Sequence, residues 1–253
     1  MVHDAGERSL QLEAVEQPRA HEYVAEQLRR EIALRVLDPT EPLPTERNLA
    51  RIFGVSRATV QRALTLLEGE GLIKRRRGRS GGTFVVAQVA ETASSVFIDS
   101  IRRNRELIEE TLVFRAEIEP AAAALAASEA AEDELDAIGR VAELSAAATD
   151  DADFIRHDTS MHIAVARASH NRYFVEAVER IRIVLNDVLP ALPESRMWRE
   201  RTHRQHEELL DALRRRDPRG ARRAMTVHIS DSSASIHALL ETLGRLDDLG
   251  AGS

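Results

Sequence analysis

Between Thr45 and Val86 the chain is punctuated by residues that start or stop helices, and that punctuation leaves few folds open. Thr45 offers an N-cap hydroxyl to a short helix expected to carry Leu49, Ala50 and Ile52 inward. Gly54, tolerant of positive φ, ends it. Ser56 caps a second helix whose Val60, Ala63, Leu64 and Leu67 face the same core, and Gly71 closes that one. Two short helices joined by a turn of about three or four residues containing glycine form a helix-turn-helix. Ahead of them, Val24, Leu28, Ile32 and Val36 recur every fourth position and predict a helix from Arg19 to Val36. The stretch from Asp38 to Pro44 is expected to be non-helical, because proline restricts the residue before it. After the pair, Leu72 to Arg76 and Thr83 to Val86 read as two short strands, with Arg77 to Gly82 as the turn between them. The expected unit is a winged helix-turn-helix of three helices and a small β-hairpin.

From about Ala90 the pattern is helical to the end. The Ala-rich stretch from Pro120 to Ala131 suits close helix packing. Phe174, Val178, Ile181, Leu185 and Val188 line one face of a helix ended by Pro190 and Pro193, and Asp217-Pro218 is a helix start. With no strand-like alternation after Val86, an all-α antiparallel bundle is expected, making the chain mainly α. The expected division is a tail over 1–18, the winged helix-turn-helix over 19–88, a linker and first helix over 89–106, the helical domain over 107–243 and a tail over 244–253. At 253 residues both domains can bury a core. Cysteine is absent, which removes disulfide and thiolate chemistry and fits a reducing, cytoplasmic setting. No apolar run approaches the roughly 20 residues needed to span a bilayer, and Met1 to Gln17 has no apolar signal core. No membrane role is expected.

Charge is distributed unevenly. The formal net charge is −7, yet from Arg47 to Arg79 nine basic residues face two acidic ones. A concentrated basic stretch in an acidic protein is the footprint of local phosphate contact. The second helix of such a motif enters the major groove with its N-terminal residues nearest the bases. The exposed candidates are Arg57, Gln61 and Arg62, since arginine reads guanine bidentately and glutamine reads adenine. Ser56, Thr59 and the helix N-terminus suit phosphate oxygens. Arg75, Arg76, Arg77 and Arg79 are placed to follow the backbone or enter the minor groove.

The run Leu43-Pro-Thr-Glu-Arg-Asn-Leu-Ala, then Gly54-Val-Ser-Arg-Ala-Thr-Val-Gln-Arg-Ala-Leu, Glu70-Gly-Leu-Ile and Gly82-Thr-Phe-Val resembles the GntR family of bacterial regulators over Arg19 to Val86. The resemblance implies that Arg47 and Arg57 contact DNA and that Arg77 with Gly78 forms a wing tip inserted in the minor groove. Two departures stand out. Gln61 occupies a position where arginine is common, and Asp38 to Pro42 lacks the usual glycine.

In the second half four polar residues fall on apolar helical stripes. Asp158 and His162 share one with Met161 and Val165, His206 with Leu209, Leu210 and Leu213, and His228 with Ala221 and Met225. Burying a carboxylate and three imidazoles is costly without partners, and a metal ion is one economical partner. Taken singly, each is more often a satisfied core residue than a ligand. The segment Asp158-Thr-Ser-Met-His162 with Asn171, together with Arg115 and Glu119, His206, Asp217, Ala221, Met225 and His228, resembles the FCD effector-binding domain of the FadR-like subfamily. That resemblance implies a divalent ion held by Asp158, His162, His206 and His228. Zinc, nickel and manganese all fit such a set with positions left open for a small carboxylic acid. Arg115 is the candidate second carboxylate contact, or else an internal ion pair with Glu119, and Thr202 is a candidate pocket residue. His157, His170, His203 and His237 fall off these stripes.

The expected function is that of a ligand-responsive transcriptional regulator, and not an enzyme. The family resemblance favours a repressor. A homodimer is expected, because a pseudo-palindromic operator in double-stranded DNA presents two half-sites. The alternatives are a regulator that responds to the metal itself, and a metalloenzyme fused to a DNA-binding head. Against the latter, no His-Glu-x-x-His arrangement is present.

Overall fold

A computed structural model of the chain describes residues 20–76, 78, 81–86, 95–192 and 196–251. It is mainly helical, with a single two-stranded sheet among the described residues. The expected tail over 1–18, wing residues Arg77 and Arg79, and Pro193 lie outside them.

The N-terminal part holds α1 (Ala20–Ala33), α2 (Glu46–Phe53), α3 (Arg57–Gly69), β1 (Ile73–Arg76) and β2 (Gly82–Val85). The caps read from sequence act as such. Thr45 accepts from the Asn48 N–H and Ser56 from the Thr59 N–H, while Gly54 takes a left-handed φ of 65°. Val24, Leu28 and Ile32 of α1 pack on Leu49 of α2, Val60, Leu64 and Leu67 of α3, and Ile73 and Val85 of the hairpin. The strands pair antiparallel in the register Ile73 to Val85 and Arg76 to Gly82. The Leu43 N–H donates to the Thr83 carbonyl at 2.7 Å, so the proline-bearing loop borders the wing. Pro42 comes so close to Gly82 that a side-chain carbon there would lie 2.8 Å from the proline ring, which accounts for glycine at that position.

Two expectations need correction. Ile52 is exposed, and Phe53 takes its place against the core. At about 100° per residue Leu49, Ala50 and Phe53 share one face, and Ile52 points away from it. The first helix stops at Ala33 because Arg35 adopts a φ of 55°; Leu34 is thereby turned out of α1 and buried against Ile163, Ala166 and Val178.

The helical part comprises α4 (Ser95–Arg103), α5 (Arg105–Glu129), α6 (Glu132–Ala147), α7 (Asp151–Ala168), α8 (Arg172–Asn186), a 3₁₀ turn (Leu189–Ala191), α9 (Arg196–Arg214) and α10 (Pro218–Ala251). Asn171 caps α8, and the Asp217 carboxylate accepts from the Gly220 N–H at the start of α10. The backbone of α10 stays helical to Ala251, past position 244 where a tail was expected. No helix among the described residues is long and apolar enough to cross a membrane.

Two apolar clusters fill the bundle. One gathers Ala123, Ala126, Ala127, Leu135, Met161, Val165, Leu209, Leu213 and Met225. The other gathers Ile108, Leu112, Phe154, Ile155, Ile181, Leu185, Ile236 and Leu240. Alanine on α5 lets neighbouring backbones come close, as the composition of that stretch implies. Along α5, α7 and α10 the polar residues Arg115, Glu119, Asp158 and Ser232 fall between the two clusters, with His162 and His228 at the edge of the first, and all six are buried inside the bundle as one polar layer.

Candidate functional sites

The polar layer is built around a carboxylate and three imidazoles. Asp158 and His162 come from α7, His206 from α9 and His228 from α10; all four are buried, and one potential ligand atom from each lies within 4.8 Å of all the others. Three separate helices are thereby made to agree, and the i, i+4 spacing of Asp158 and His162 puts both on one face. The Nε2 atoms of His162 and His228 are 3.0 Å apart. Imidazole nitrogens bound about 2.0–2.1 Å from one ion sit roughly 3–3.4 Å from each other. The His206 Nε2 lies 3.3 Å from Asp158 Oδ1 yet makes no hydrogen bond, a buried polar atom of the kind a coordinated ion would satisfy. The donor set of three imidazoles and a carboxylate therefore fits a divalent transition metal.

The surroundings suit the same purpose. His162 Nδ1 meets the Glu119 carboxylate from α5, and His228 Nδ1 lies 3.3 Å from the Gln205 Oε1 of α9. Such partners on the far ring nitrogen fix the orientation of ligating histidines. Glu119 also receives the Arg115 Nε at 2.6 Å, while Arg115 Nη1 donates to Ser232 at 2.8 Å. Arg115 is thus an internal partner of Glu119, one residue removed from His162. Thr202 is buried on α9 one turn ahead of His206. His157, His170, His203 and His237 lie outside the cluster.

Burial would raise the Asp158 pKa, but Arg182 and His162 outweigh it and hold the carboxyl well below its usual range. Burial opposes ionisation of Glu119 too, and His162 and Arg115 overcome it, so this carboxyl is also lowered. Burial lowers His162, but Glu119 and Asp158 more than compensate and its pKa is raised. His206 and His228 are lowered, first by burial, with the other imidazoles pushing His228 further down. The layer thus combines ionised carboxylates with two neutral imidazoles that are ready to ligate, while His162 must give up a proton before it can do so.

Arg182 was not singled out in the sequence. It stands on α8 beside the apolar stripe, wholly buried, and donates to Asp158 Oδ2 at 2.6 Å. The stripe of Val178, Ile181 and Leu185 marks its helix face as buried, but periodicity alone does not show that a guanidinium beside it finds a carboxylate on another helix. Glu119 and Gln205 as imidazole partners were hidden for the same reason.

At the opposite end of the chain a second surface forms. Arg47, Ser56, Arg57, Gln61 and Arg62 are exposed on α2 and the N-terminal half of α3, with Thr59 half-buried among them. The Ser56 and Thr59 hydroxyls lie 2.8 Å from each other. Arg57 approaches Glu46 only to 3.8 Å. Gly78 sits in the wing at a φ of 111°. Two other wing arginines have partners within the protein: Arg75 reaches Thr65 at 3.1 Å and Glu68 at 3.4 Å, and the Arg76 guanidinium lies 4.6 Å from the centre of the Phe84 ring.

Comparison with known proteins agrees with both ends. Residues 20–85 match the model described as bacterial regulatory proteins, gntR family, and residues 110–231 match the FCD domain. The transcriptional repressor NanR of Citrobacter rodentium is 28% identical over 250 residues, covering 92% of this chain and 91% of that protein. The Glc operon transcriptional activator of Escherichia coli K12 is 29% identical over 226 residues, covering 85% and 88%. Among solved structures, E. coli McbR/YncC aligns over 88% of this chain and 99% of that one, with 22% identity and a TM-score of 0.49. With the two family models matching consecutive parts of the chain, it belongs to the GntR family of bacterial regulatory proteins and is a transcriptional regulator of the GntR/FCD type.

Proposed function

We propose that this regulator is a cytoplasmic repressor whose affinity for operator DNA is set by a small organic acid bound at a divalent metal ion in the helical domain. The observation that carries it is the buried convergence of Asp158, His162, His206 and His228, with no hydrogen bond at the His206 Nε2. A divalent ion there would supply a Lewis-acidic centre to which a carboxylate can coordinate. Arg115 is the candidate for the second carboxylate contact, through the part of its guanidinium that Glu119 and Ser232 do not already hold. Thr202, buried on α9 one turn ahead of His206, is the further candidate contact to the acid.

At the other end Arg57, Gln61 and Arg62 read bases, Ser56 and Thr59 hold phosphates, and Arg47 with Arg77 and Gly78 extends the contact to the flanking backbone and minor groove. Two such heads on a homodimer would address a pseudo-palindromic site, each taking a half-site about one helical turn from the other. Repression is supported by the relatives named as NanR repressors; the Glc operon relative is named an activator.

Elemental analysis of the purified protein, paired with a thermal-shift screen of small carboxylic acids with and without chelator, tests the proposal. About one divalent ion per chain, lost in a His206→Ala, His228→Ala double variant, and a chelator-sensitive shift with one acid are expected. Stoichiometric metal retained by that variant would overturn the ligand set. Absence of metal and of any shift would reduce the helical domain to a dimerisation or metal-free ligand module.

A further inference from the structure

The candidate metal pocket is joined to the DNA-binding end by one unbroken line of buried hydrogen bonds. Asp158 offers one carboxylate oxygen to the histidine cluster and the other to Arg182. The same Arg182 Nη2 donates to the Thr159 hydroxyl at 2.8 Å. Thr159 in turn donates to Asn186 Oδ1 at 2.9 Å, and Asn186 Nδ2 donates to the Leu34 carbonyl at 2.8 Å. From Arg182 onward every donor points the same way, toward α1, so each bond polarises the next. Asp158, Thr159, Arg182, Asn186 and Leu34 are all buried, which limits the access of solvent to a broken link.

The line ends where the DNA-binding part is attached to the bundle. Leu34 immediately follows α1, and its side chain is inserted between α7 and α8. The left-handed turn at Arg35 aims the arginine side chain back at α8, where it donates to the Asn186 carbonyl at 2.5 Å and pairs with Asp187 at 2.8 Å. Two further pairs, Arg30 with Glu179 and Asp38 with Arg156, pin the same junction but do not reach the pocket. Because α1 packs directly on α3, a shift at Leu34 is felt by the helix that carries Arg57, Gln61 and Arg62.

We propose that the line Asp158–Arg182–Thr159–Asn186–Leu34 couples occupancy of the pocket to the seating of the winged helix-turn-helix on the helical domain. The proposal rests on the reading that the pocket holds a divalent cation. Such a cation competes with Arg182 for the charge of Asp158. A buried guanidinium that loses part of its counter-charge must strengthen its remaining bonds or move, and its remaining hydrogen-bond partner in this line is Thr159. Asn186 is the adaptor: its amide faces the pocket with the oxygen and α1 with the nitrogen. The ion pairs at the junction hold the two parts together while this single line biases how they sit.

The test uses the full chain stripped by chelator, with zinc as the probe. Calorimetry reports binding, and hydrogen exchange read by mass spectrometry reports residues 31–38 and 158–162. In the wild type, zinc is expected to change exchange at both segments, at 31–38 by about fivefold or more, the low end of coupling between linked sites. Thr159→Val removes the hydroxyl while leaving Arg182 on Asp158; it should bind zinc and respond at 158–162 but not at 31–38. Thr159→Ser should restore the response. Asn186→Leu should behave as Thr159→Val does, and the valine variant carries the test where the leucine variant fails to fold. Zinc binding with an unchanged 31–38 segment in the wild type, or full transmission through Thr159→Val, would overturn the line and leave the metal site standing. Absence of zinc binding by the wild type would overturn the site and the line together, and is seen in the calorimeter before any exchange is measured.

Discussion

Glu119 is the residue on which the polar layer depends most. Its carboxylate meets Arg115 on one side and His162 on the other, all three being buried. Removing it leaves the buried Arg115 guanidinium without its ion-pair partner and takes from His162 one of its two carboxylates, and breaking one partner of a buried pair costs about 3–5 kcal/mol. Glu119→Ala should therefore lower the stability of the metal-free protein by that order, read from urea unfolding; a loss below about 1 kcal/mol would mean the layer is wetter than its burial implies. The pH dependence follows from His162, whose pKa is raised above its ordinary 6.5 by Glu119 and Asp158 against the effect of burial. Its contribution to metal-free stability is complete below the unfolded value and is lost as pH rises through the raised folded value. A metal ion must displace that same proton. Cation affinity is therefore expected to climb as pH rises from 6.5 through the folded value, with a proton released to buffer. His206 and His228, lowered by burial, are already neutral there and add no titration. Calorimetry in buffers of different ionisation heat checks this; an affinity flat across that interval would remove His162 from the ligand set.

At the scale of single elements, the DNA-binding end depends on local chemistry. Ser56 satisfies an otherwise orphaned N–H at the start of α3, and Ser56→Ala should cost about 1 kcal/mol of stability in addition to any phosphate contact. Arg57→Ala should leave the melting temperature within a degree or two and weaken operator binding by about 1–3 kcal/mol, relaxing preference at one base position. Unchanged affinity in a gel-shift titration would undo the assignment of α3 as the recognition helix. These elements were legible in the sequence because each signal lies within a few residues of the structure it causes. Thr45, Gly54, Ser56 and Gly71 work on the backbone beside them, and the alternation of strand and turn marks the hairpin. Where local signals ran out, errors followed. An apolar side chain alone marks Ile52 as a core candidate, but in an eight-residue helix the face is set by Leu49, Ala50 and Phe53. Val36 keeps the four-residue rhythm of the first helix, but the left-handed turn at Arg35 that ends it is held by bonds to α8, far off in sequence.

Over the whole molecule, a chain with formal net charge −7 concentrates nine of its 35 basic residues, against two acidic ones, between Arg47 and Arg79. Repelled elsewhere by its own charge, the protein should bind DNA only through that stretch, so affinity should fall linearly on a log–log plot against salt with a slope near −0.9 per phosphate contacted. Loss of one unit of slope in an Arg47→Ala variant would assign that residue to phosphate. A slope that does not change would remove Arg47 from the interface. By itself the sequence determined the caps, the hairpin, the succession of helices and the identities of Asp158, His162, His206 and His228 as polar residues on apolar stripes, because periodicity and capping are properties of neighbouring residues. Only the tertiary structure decided that those four side chains meet, that Glu119 and Gln205 orient two of the imidazoles, and that Arg182 and Asn186 connect them to Leu34. Each of these is a contact between different helices, and a helix's own periodicity says which face is buried without saying what lies opposite.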